Sequence, residues 1–115
     1  MKYIVAIIQQ DRLNEVLDEL DRQEIHLVTV TQVLGHGRQK GEARVYRGHK
    51  EAGRLLKKVK LEIGVNDEYL GKTVDAVAKA ARTDGGEIGD GKIFVLEMQD
   101  CVRIRTGERG SEAIG

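Results

Sequence analysis

The 115-residue sequence contains no proline, no tryptophan, one phenylalanine and one cysteine. A lone Cys101 cannot form a disulfide within the chain, and the apolar run "YIVAII" meets charged Asp11 too soon for a membrane span. We therefore expect a cytoplasmic protein rather than a membrane protein. Basic and acidic side chains balance at 19 each, and Phe94 is the only phenylalanine on which a base could stack. Nucleic acid is therefore not an expected partner.

Residues that could build a catalytic centre are also scarce. His26, His36 and His49 are scattered along the sequence, and no serine, histidine and aspartate set is evident. His36 and His49 lie in a basic stretch, where local positive charge disfavours a metal site that needs three or four convergent ligands. We expect no catalytic residue and no metal bound by the protein alone, and we expect His26 at the surface or in the sheet.

Hydrophobic periodicity predicts one domain made of two similar halves. Each half begins with a strand, continues with an amphipathic helix and ends with a second strand. Asp11 and Asp67 are expected to cap the two helices. In the third strand, every second residue is apolar: Val59, Leu61, Ile63 and Val65. The second helix carries an apolar stripe formed by Leu70, Val74, Val77, Ala78 and Ala81. This order predicts an α+β, ferredoxin-like βαββαβ fold with an antiparallel sheet and two helices on one face.

A long basic segment interrupts this pattern between the second and third strands. Roughly twenty residues stand where a hairpin would need about 2–5. From His36 to Lys58 there are eight basic and two acidic residues, so a neutral chain carries +6 here and −6 elsewhere. This asymmetry predicts an arm that docks onto an acidic surface. The alternative is a solvated loop without a partner.

A glycine-rich loop precedes the fourth strand, with four glycines in the seven residues from Gly85 to Gly91. Backbone N–H groups in such a loop can surround an anion, and Lys92 adds a positive charge. The motif is weak by itself, because a plain glycine turn beside an incidental lysine has the same pattern. Further along, Arg103 and Arg105 are expected on a strand-like segment, leaving one face about 6.6 Å apart. Forked hydrogen bonds from both could hold successive phosphates, while Val102 and Ile104 anchor the opposite face.

Several long motifs point to one family: "TVTQVLGHGRQKG", "YRG", "KVKLEI", "IGDGKIFV" and "RIRTGE". On these residues the chain resembles the PII nitrogen-regulatory signalling proteins over essentially its whole length. The resemblance implies a single PII-like domain over residues 1–115 and a homotrimer with ATP or ADP in clefts between subunits. It also implies three loops: a T-loop at about 37–57, a B-loop at about 83–92 and a C-loop at about 102–110.

The resemblance also assigns roles to individual positions. The residues implied around the nucleotide are Thr29, Gly37, Arg38, Glu62, Gly64, Gly89, Asp90, Gly91, Lys92, Arg103 and Arg105. Gln39 would help coordinate Mg²⁺ when ATP and 2-oxoglutarate bind, and Lys58, otherwise an ordinary solvated lysine, would pair with the distal carboxylate. The T-loop residues implied to contact a membrane transporter or metabolic enzyme are Arg44, Tyr46, Arg47, His49, Lys50, Glu51 and Arg54. Such a protein regulates enzymes and is not one itself, apart from slow incidental ATP hydrolysis.

Four departures from the family pattern bear on its ligands. Glu51 stands where many relatives carry a uridylylated tyrosine, and Tyr46 matches a different, unmodified position. Gly64 removes a side chain that would pack on adenine. The loop "TDGGEIGDG" is two residues longer than usual, and Glu87 replaces a common lysine. The preferred nucleotide is therefore open among ATP, ADP and AMP. The alternative function is a sensor of ADP, AMP or another small anion such as bicarbonate, with a transporter partner outside nitrogen metabolism.

Overall fold

The computed structural model describes residues 1–37, 45–46, 49–50 and 54–115. The strands are β1 (Lys2–Gln9), β2 (Thr29–Gly37), β3 (Val45–Tyr46), β4 (His49–Lys50), β5 (Arg54–Val65) and β6 (Gly91–Glu97). The helices are α1 (Leu13–Arg22), α2 (Leu70–Ala81) and α3 (Ser111–Ile114), and 3₁₀ turns at Gln10–Arg12 and Asp67–Tyr69 precede α1 and α2.

Four strands form one antiparallel sheet in the order β2-β5-β1-β6, and β3 pairs with β4 as a separate two-stranded ribbon. β1 lies inside the sheet, where Ile4 is opposite Ile63 on one side and Val95 on the other. The layout confirms the expected ferredoxin-like α+β fold. β5 begins at Arg54, so residues 54–57 extend the third strand beyond the predicted alternating segment.

The core lies between one face of this sheet and the helices α1 and α2. Alternate residues of β1 and β5 are buried, as period-two strands require, and Val16 and Leu20 of α1 and Val77 of α2 cover them. The buried apolar strand residues are Ile4, Ala6, Ile8, Val59, Leu61, Ile63 and Val65, and Lys58 next to Val59 is buried as well. The alternation predicted for the third strand is therefore confirmed.

The buried stripe of α2 differs from the prediction at three positions. Ala78 is exposed, while Thr73 and Ala76 face the core. Thr73 is fully buried without an unsatisfied hydroxyl, because that group donates a hydrogen bond to the Tyr69 carbonyl at 2.6 Å. A threonine satisfied by its own helix can therefore occupy a core position that a hydrophobic pattern does not mark.

The predicted helix caps are wrong. Asp11 and Asp67 lie inside the 3₁₀ turns, and neither α1 nor α2 has a side-chain cap at its start. The Asp67 carboxylate instead accepts a hydrogen bond from the Met1 ammonium at 2.8 Å. The preceding 3₁₀ turns place both aspartates one turn ahead of the α-helix, too far from its first free N–H groups.

The last eighteen residues pack at the end of the sheet where β1 begins. Met98 N donates to the Met1 carbonyl at 3.0 Å, and Asn66 Nδ2 donates to the Ser111 carbonyl at 3.2 Å. A bridge between Val102 and Arg109 closes a short loop. The glycine-rich loop lies at the other end, where Gly91 pairs with Ile8.

Candidate functional site

The glycine-rich loop consists of two consecutive turns closed by one carboxylate. Gly86 N donates to the Thr83 carbonyl at 2.8 Å, and Asp90 N donates to the Glu87 carbonyl at 3.2 Å. The Asp90 side chain then accepts hydrogen bonds from Thr83 N at 3.1 Å and Glu87 N at 3.0 Å. Two turns joined in this way accommodate the longer loop without disturbing the strand that follows.

Two further donors hold Asp90. Its Oδ1 accepts from Gln9 Nε2 at 3.1 Å and from the Thr83 hydroxyl at 3.0 Å. Burial of the carboxylate raises its pKa, but hydrogen bonds from Glu87 N, Thr83 and Gln9 outweigh this effect and leave the pKa of Asp90 below its usual value. Sequence reasoning missed Gln9 and Thr83. Gln9 is 81 residues from Asp90, and only the β1–β6 pairing brings them together.

Because Asp90 organises the loop as a carboxylate, Asp90→Asn should destabilise the protein by about 1–2 kcal/mol at pH 7. An amide cannot accept from all of these donors. A lowered folded-state pKa means that Asp90 contributes fully above its unfolded pKa of about 4 and loses this contribution as pH falls through the folded value. Urea denaturation should therefore show the difference between parent and variant shrinking at pH 3. Asp84→Asn, an exposed aspartate in the same loop, is the control; a pH-independent Asp90→Asn difference would contradict the assignment.

Gly91 ends the loop in a conformation that only glycine can supply. Its φ is +113°, and a Cβ at this position would lie 1.8 Å from the Ile7 carbonyl oxygen. Gly89 also has a positive φ, of +100°. Lys92 follows on β6 with an exposed side chain, and among the described residues it has no hydrogen bond or ion pair. The predicted cation therefore stands beside the glycine backbone without a competing partner in that part of the chain.

Lys58 is not a solvated strand-end lysine. It is 7% exposed, and its Nζ donates to the Gly89 carbonyl at 2.8 Å. The bond ties β5 directly to the glycine-rich loop. A movement of β5 would therefore shift the glycine-rich loop, and a movement of the loop would shift β5.

The two arginines do not lie on a strand, contrary to the prediction. Residues 104–106 form a turn in which Gly107 N donates to the Arg103 carbonyl at 2.7 Å. Ile104 is 98% exposed and Val102 is 45% exposed, so they do not anchor an opposite face. Among the described residues, the β-type pairing of this segment is a single bridge between Val102 and Arg109, not a ladder with a strand of the sheet.

Arg103 and Arg105 have different surroundings. Arg103 donates to Glu108 Oε1 at 2.6 Å and to the Glu112 carbonyl at 3.0 Å, so it braces the carboxyl-terminal segment. Arg105 is exposed and has no hydrogen bond or ion pair among the residues that the structure describes. Of these two arginines, only Arg105 therefore offers its whole guanidinium group to a ligand.

One chain does not bring the predicted phosphate ligands together. The β1–β6 register runs from Gly91 opposite Ile8 to Glu97 opposite Lys2, a length of roughly 20 Å. Lys92 lies near the first end, and the loop that carries Arg103 and Arg105 is attached at the second. The two sets of cations can meet at one ligand only if a second copy of the chain contributes one of them.

Three of the positions predicted around the nucleotide, Thr29, Glu62 and Gly64, do lie close together. Thr29 is opposite Glu62 in the β2–β5 ladder, and Tyr3 is opposite Gly64 in the β1–β5 ladder. The Tyr3 hydroxyl donates to the Glu62 carboxylate, and this hydrogen bond, with burial, raises the pKa of the Tyr3 phenol. A groove of about 380 Å³ reaches Gly64 and is also lined by Leu27 and Tyr69. Sequence reasoning missed Tyr3, because only strand pairing places it beside Glu62.

The remaining predicted positions lie around the long loop. Gly37 ends β2 opposite Arg54, which begins β5. The ribbon β3–β4 pairs Tyr46 with His49 and Val45 with Lys50 in its backbone. The others fall outside the described residues: Arg38, Gln39, Arg44, Arg47 and Glu51.

The part of the chain that the structure describes contains no group of three histidine, cysteine, aspartate or glutamate side chains placed to hold a metal ion. His26 is at the surface, as expected, with its Nδ1 2.6 Å from Asp21 Oδ1. None of the described helices has both the length and the apolar character needed to cross a membrane.

Comparison with known proteins gives consistent matches along the chain. The family model for nitrogen regulatory protein P-II matches residues 1–108. Nitrogen regulatory protein GlnK1 of Methanosarcina mazei is 46% identical over 99% of this chain and 97% of its own length. Nitrogen regulatory protein P-II of Rhizobium etli is 48% identical, and nitrogen regulatory protein GlnK of Escherichia coli K12 is 46% identical, each over 99% of this chain and the whole relative.

Proposed function

The chain belongs to the nitrogen regulatory P-II family, and from that premise we propose that it is a non-enzymatic signal-transduction regulator that binds ATP or ADP between subunits of a homotrimer. One observation carries this proposal. Lys92 of the glycine-rich loop and Arg105 of the carboxyl-terminal loop, both exposed and both without a partner among the described residues, lie at opposite ends of the sheet. Placing Lys92 of one copy beside Arg105 of the next would complete a cluster of positive charge that suits a polyphosphate.

The uncovered face of the sheet supports an oligomer. On the side away from the helices, Phe94 and Leu96 are each 50% exposed. Tyr3, Val5 and Ile7 of the neighbouring β1 share this face and are only partly buried. A contiguous apolar patch on a sheet favours contact with another copy. Three sheets packed by this face would bury it and bring neighbouring sheet ends together.

Lys58 fits an anionic effector such as 2-oxoglutarate. Its ammonium group has three N–H donors, and only one is used in the described contacts, toward the Gly89 carbonyl. A carboxylate could take a second donor without breaking the link to the loop. Gln39 at the start of the long loop would supply an oxygen ligand for Mg²⁺ held with ATP, a ligand type that Mg²⁺ prefers.

The basic arm supports a protein partner. Its charge of +6 favours an acidic surface, and we propose the cytoplasmic face of a membrane transporter or a metabolic enzyme as the target. Glu51 has no phenolic hydroxyl to accept a nucleotidyl group. Regulation would therefore depend on ligands that change the order of the arm, a common way to switch an interface.

A second candidate is a sensor of ADP, AMP or a small anion such as bicarbonate, with a transporter partner outside nitrogen metabolism. The glycine-rich loop favours it, because residues 82–92 hold three acidic side chains, Asp84, Glu87 and Asp90, against Arg82 and Lys92. A loop with less net positive charge would favour a ligand that has fewer phosphate groups.

Light scattering and calorimetry together test the proposal. The mass in solution should be near three times 12.8 kDa, and ATP should bind with one site per subunit. ADP and AMP titrations then rank the nucleotides, and 2-oxoglutarate with Mg²⁺ is compared with bicarbonate in the presence of ATP. A monomer that binds nucleotide, or a trimer that binds none of the three, would refute the proposal; tighter AMP binding with a bicarbonate response would favour the second candidate.

A further inference from the structure

The space above Gly64 is filled by a side chain from another strand end. A Cβ added to Gly64 would lie 2.9 Å from Met98 Cε and 4.0 Å from its Sδ. This is closer than non-bonded carbon atoms pack, at about 3.5–4.0 Å. A side chain at position 64 and the present Met98 conformation therefore exclude each other.

The fold explains how Met98 reaches this position. It follows β6, and its backbone N–H is bonded to the Met1 carbonyl at 3.0 Å, beside the start of β1. Because β1 separates β6 from β5, the Met98 side chain must cross over β1 to reach Gly64. A long unbranched thioether can make this crossing, and it remains partly exposed on the sheet face.

We propose that Met98 forms the apolar wall against which the base of the bound nucleotide packs, in place of a side chain at residue 64. This inference rests on the proposed nucleotide-binding function. The neighbouring groups suit a purine: Thr29 and Glu62 offer polar atoms for the edge of the ring, and the bond from Tyr3 to Glu62 holds that carboxylate in place. A polarisable sulfur beside an aromatic face is a favourable contact. Met98 then provides the apolar contact with the base that a side chain at position 64 would otherwise make.

The test compares Met98→Ala, Gly64→Val and the double variant by calorimetry with ATP, ADP and inorganic tripolyphosphate. Met98→Ala should weaken ATP and ADP binding about 3- to 10-fold and leave tripolyphosphate binding unchanged, because only the base loses a contact. Gly64→Val alone should also weaken ATP binding, since it displaces Met98. The double variant should bind ATP within about twofold of the parent, because the valine refills the vacated space.

Thermal denaturation of each variant and the shape-conserving Met98→Leu variant separate binding from folding. Met98→Leu should bind ATP nearly as the parent does. If the parent binds ATP and Met98→Ala binds it equally well, or if the two single effects simply add in the double variant, the inference is overturned. If the parent binds tripolyphosphate but not ATP or ADP, the proposed nucleotide function fails together with it.

Discussion

Gly91→Ala should be the most damaging single substitution in the glycine-rich loop, with a loss of more than about 3 kcal/mol in the free energy of unfolding. The added Cβ would lie 1.8 Å from the Ile7 carbonyl oxygen, a backbone atom that no side-chain rotation can move. The φ of +113° is also unfavourable for alanine. Relief of the clash would break the β1–β6 pairing at Ile8 and Gly91, so ATP binding should be lost as well.

Two other glycines provide matched controls for urea denaturation. Gly71 lies inside α2 with nothing within 4 Å of an added Cβ, so Gly71→Ala should be neutral or stabilising by up to about 1 kcal/mol. Gly85 has a φ of +79° but open space around it, so Gly85→Ala should cost about 1–2 kcal/mol from backbone strain alone. A Gly91→Ala protein as stable as the Gly85→Ala protein would show that the close approach to Ile7 is not a constraint.

Arg105→Ala should reduce ATP affinity about 10- to 150-fold without changing the stability of the subunit. A charged hydrogen bond to phosphate contributes about 1.5–3 kcal/mol, and Arg105 has no partner among the described residues whose loss could affect folding. Arg103→Ala should reduce both the ATP affinity and the stability of the subunit, because it also removes the hydrogen bonds to Glu108 and to the Glu112 carbonyl. Calorimetry and urea denaturation of both variants measure the two effects separately.

Arg109→Ala is the control for this pair, since Arg109 is an exposed arginine of the same segment that pairs with Asp100. It should bind ATP like the parent. Lys92→Ala should lose ATP affinity as Arg105→Ala does. If the site joins two copies, co-assembly of Lys92→Ala with Arg105→Ala subunits should restore tight binding in a fraction of the clefts. No recovery in mixed assemblies would mean that both residues of a site come from one chain.

Much of the fold could be predicted because its signals are local. Strict alternation from Val59 to Val65 reports a strand with one buried face, and the β-α-β-β-α-β order then restricts the sheet to few topologies. The predictions that were wrong also have a physical explanation. The spacing of Arg103 and Arg105 suits a strand, but a strand needs a neighbour, and Val102 bridges Arg109 instead.

Some features of the candidate site could also be predicted from local sequence, and others depend on contacts between distant residues. A loop with four glycines followed by Lys92, and a basic arm of +6, follow from residue types and short spacings, so the sequence was sufficient for them. Tertiary structure decided that Lys58 is buried against Gly89, that Gln9 holds Asp90 and that Met98 covers Gly64. It also decided that Lys92 and Arg105 lie at opposite sheet ends. The reason is distance along the chain: such contacts join residues tens of positions apart, and only strand pairing determines which of them meet.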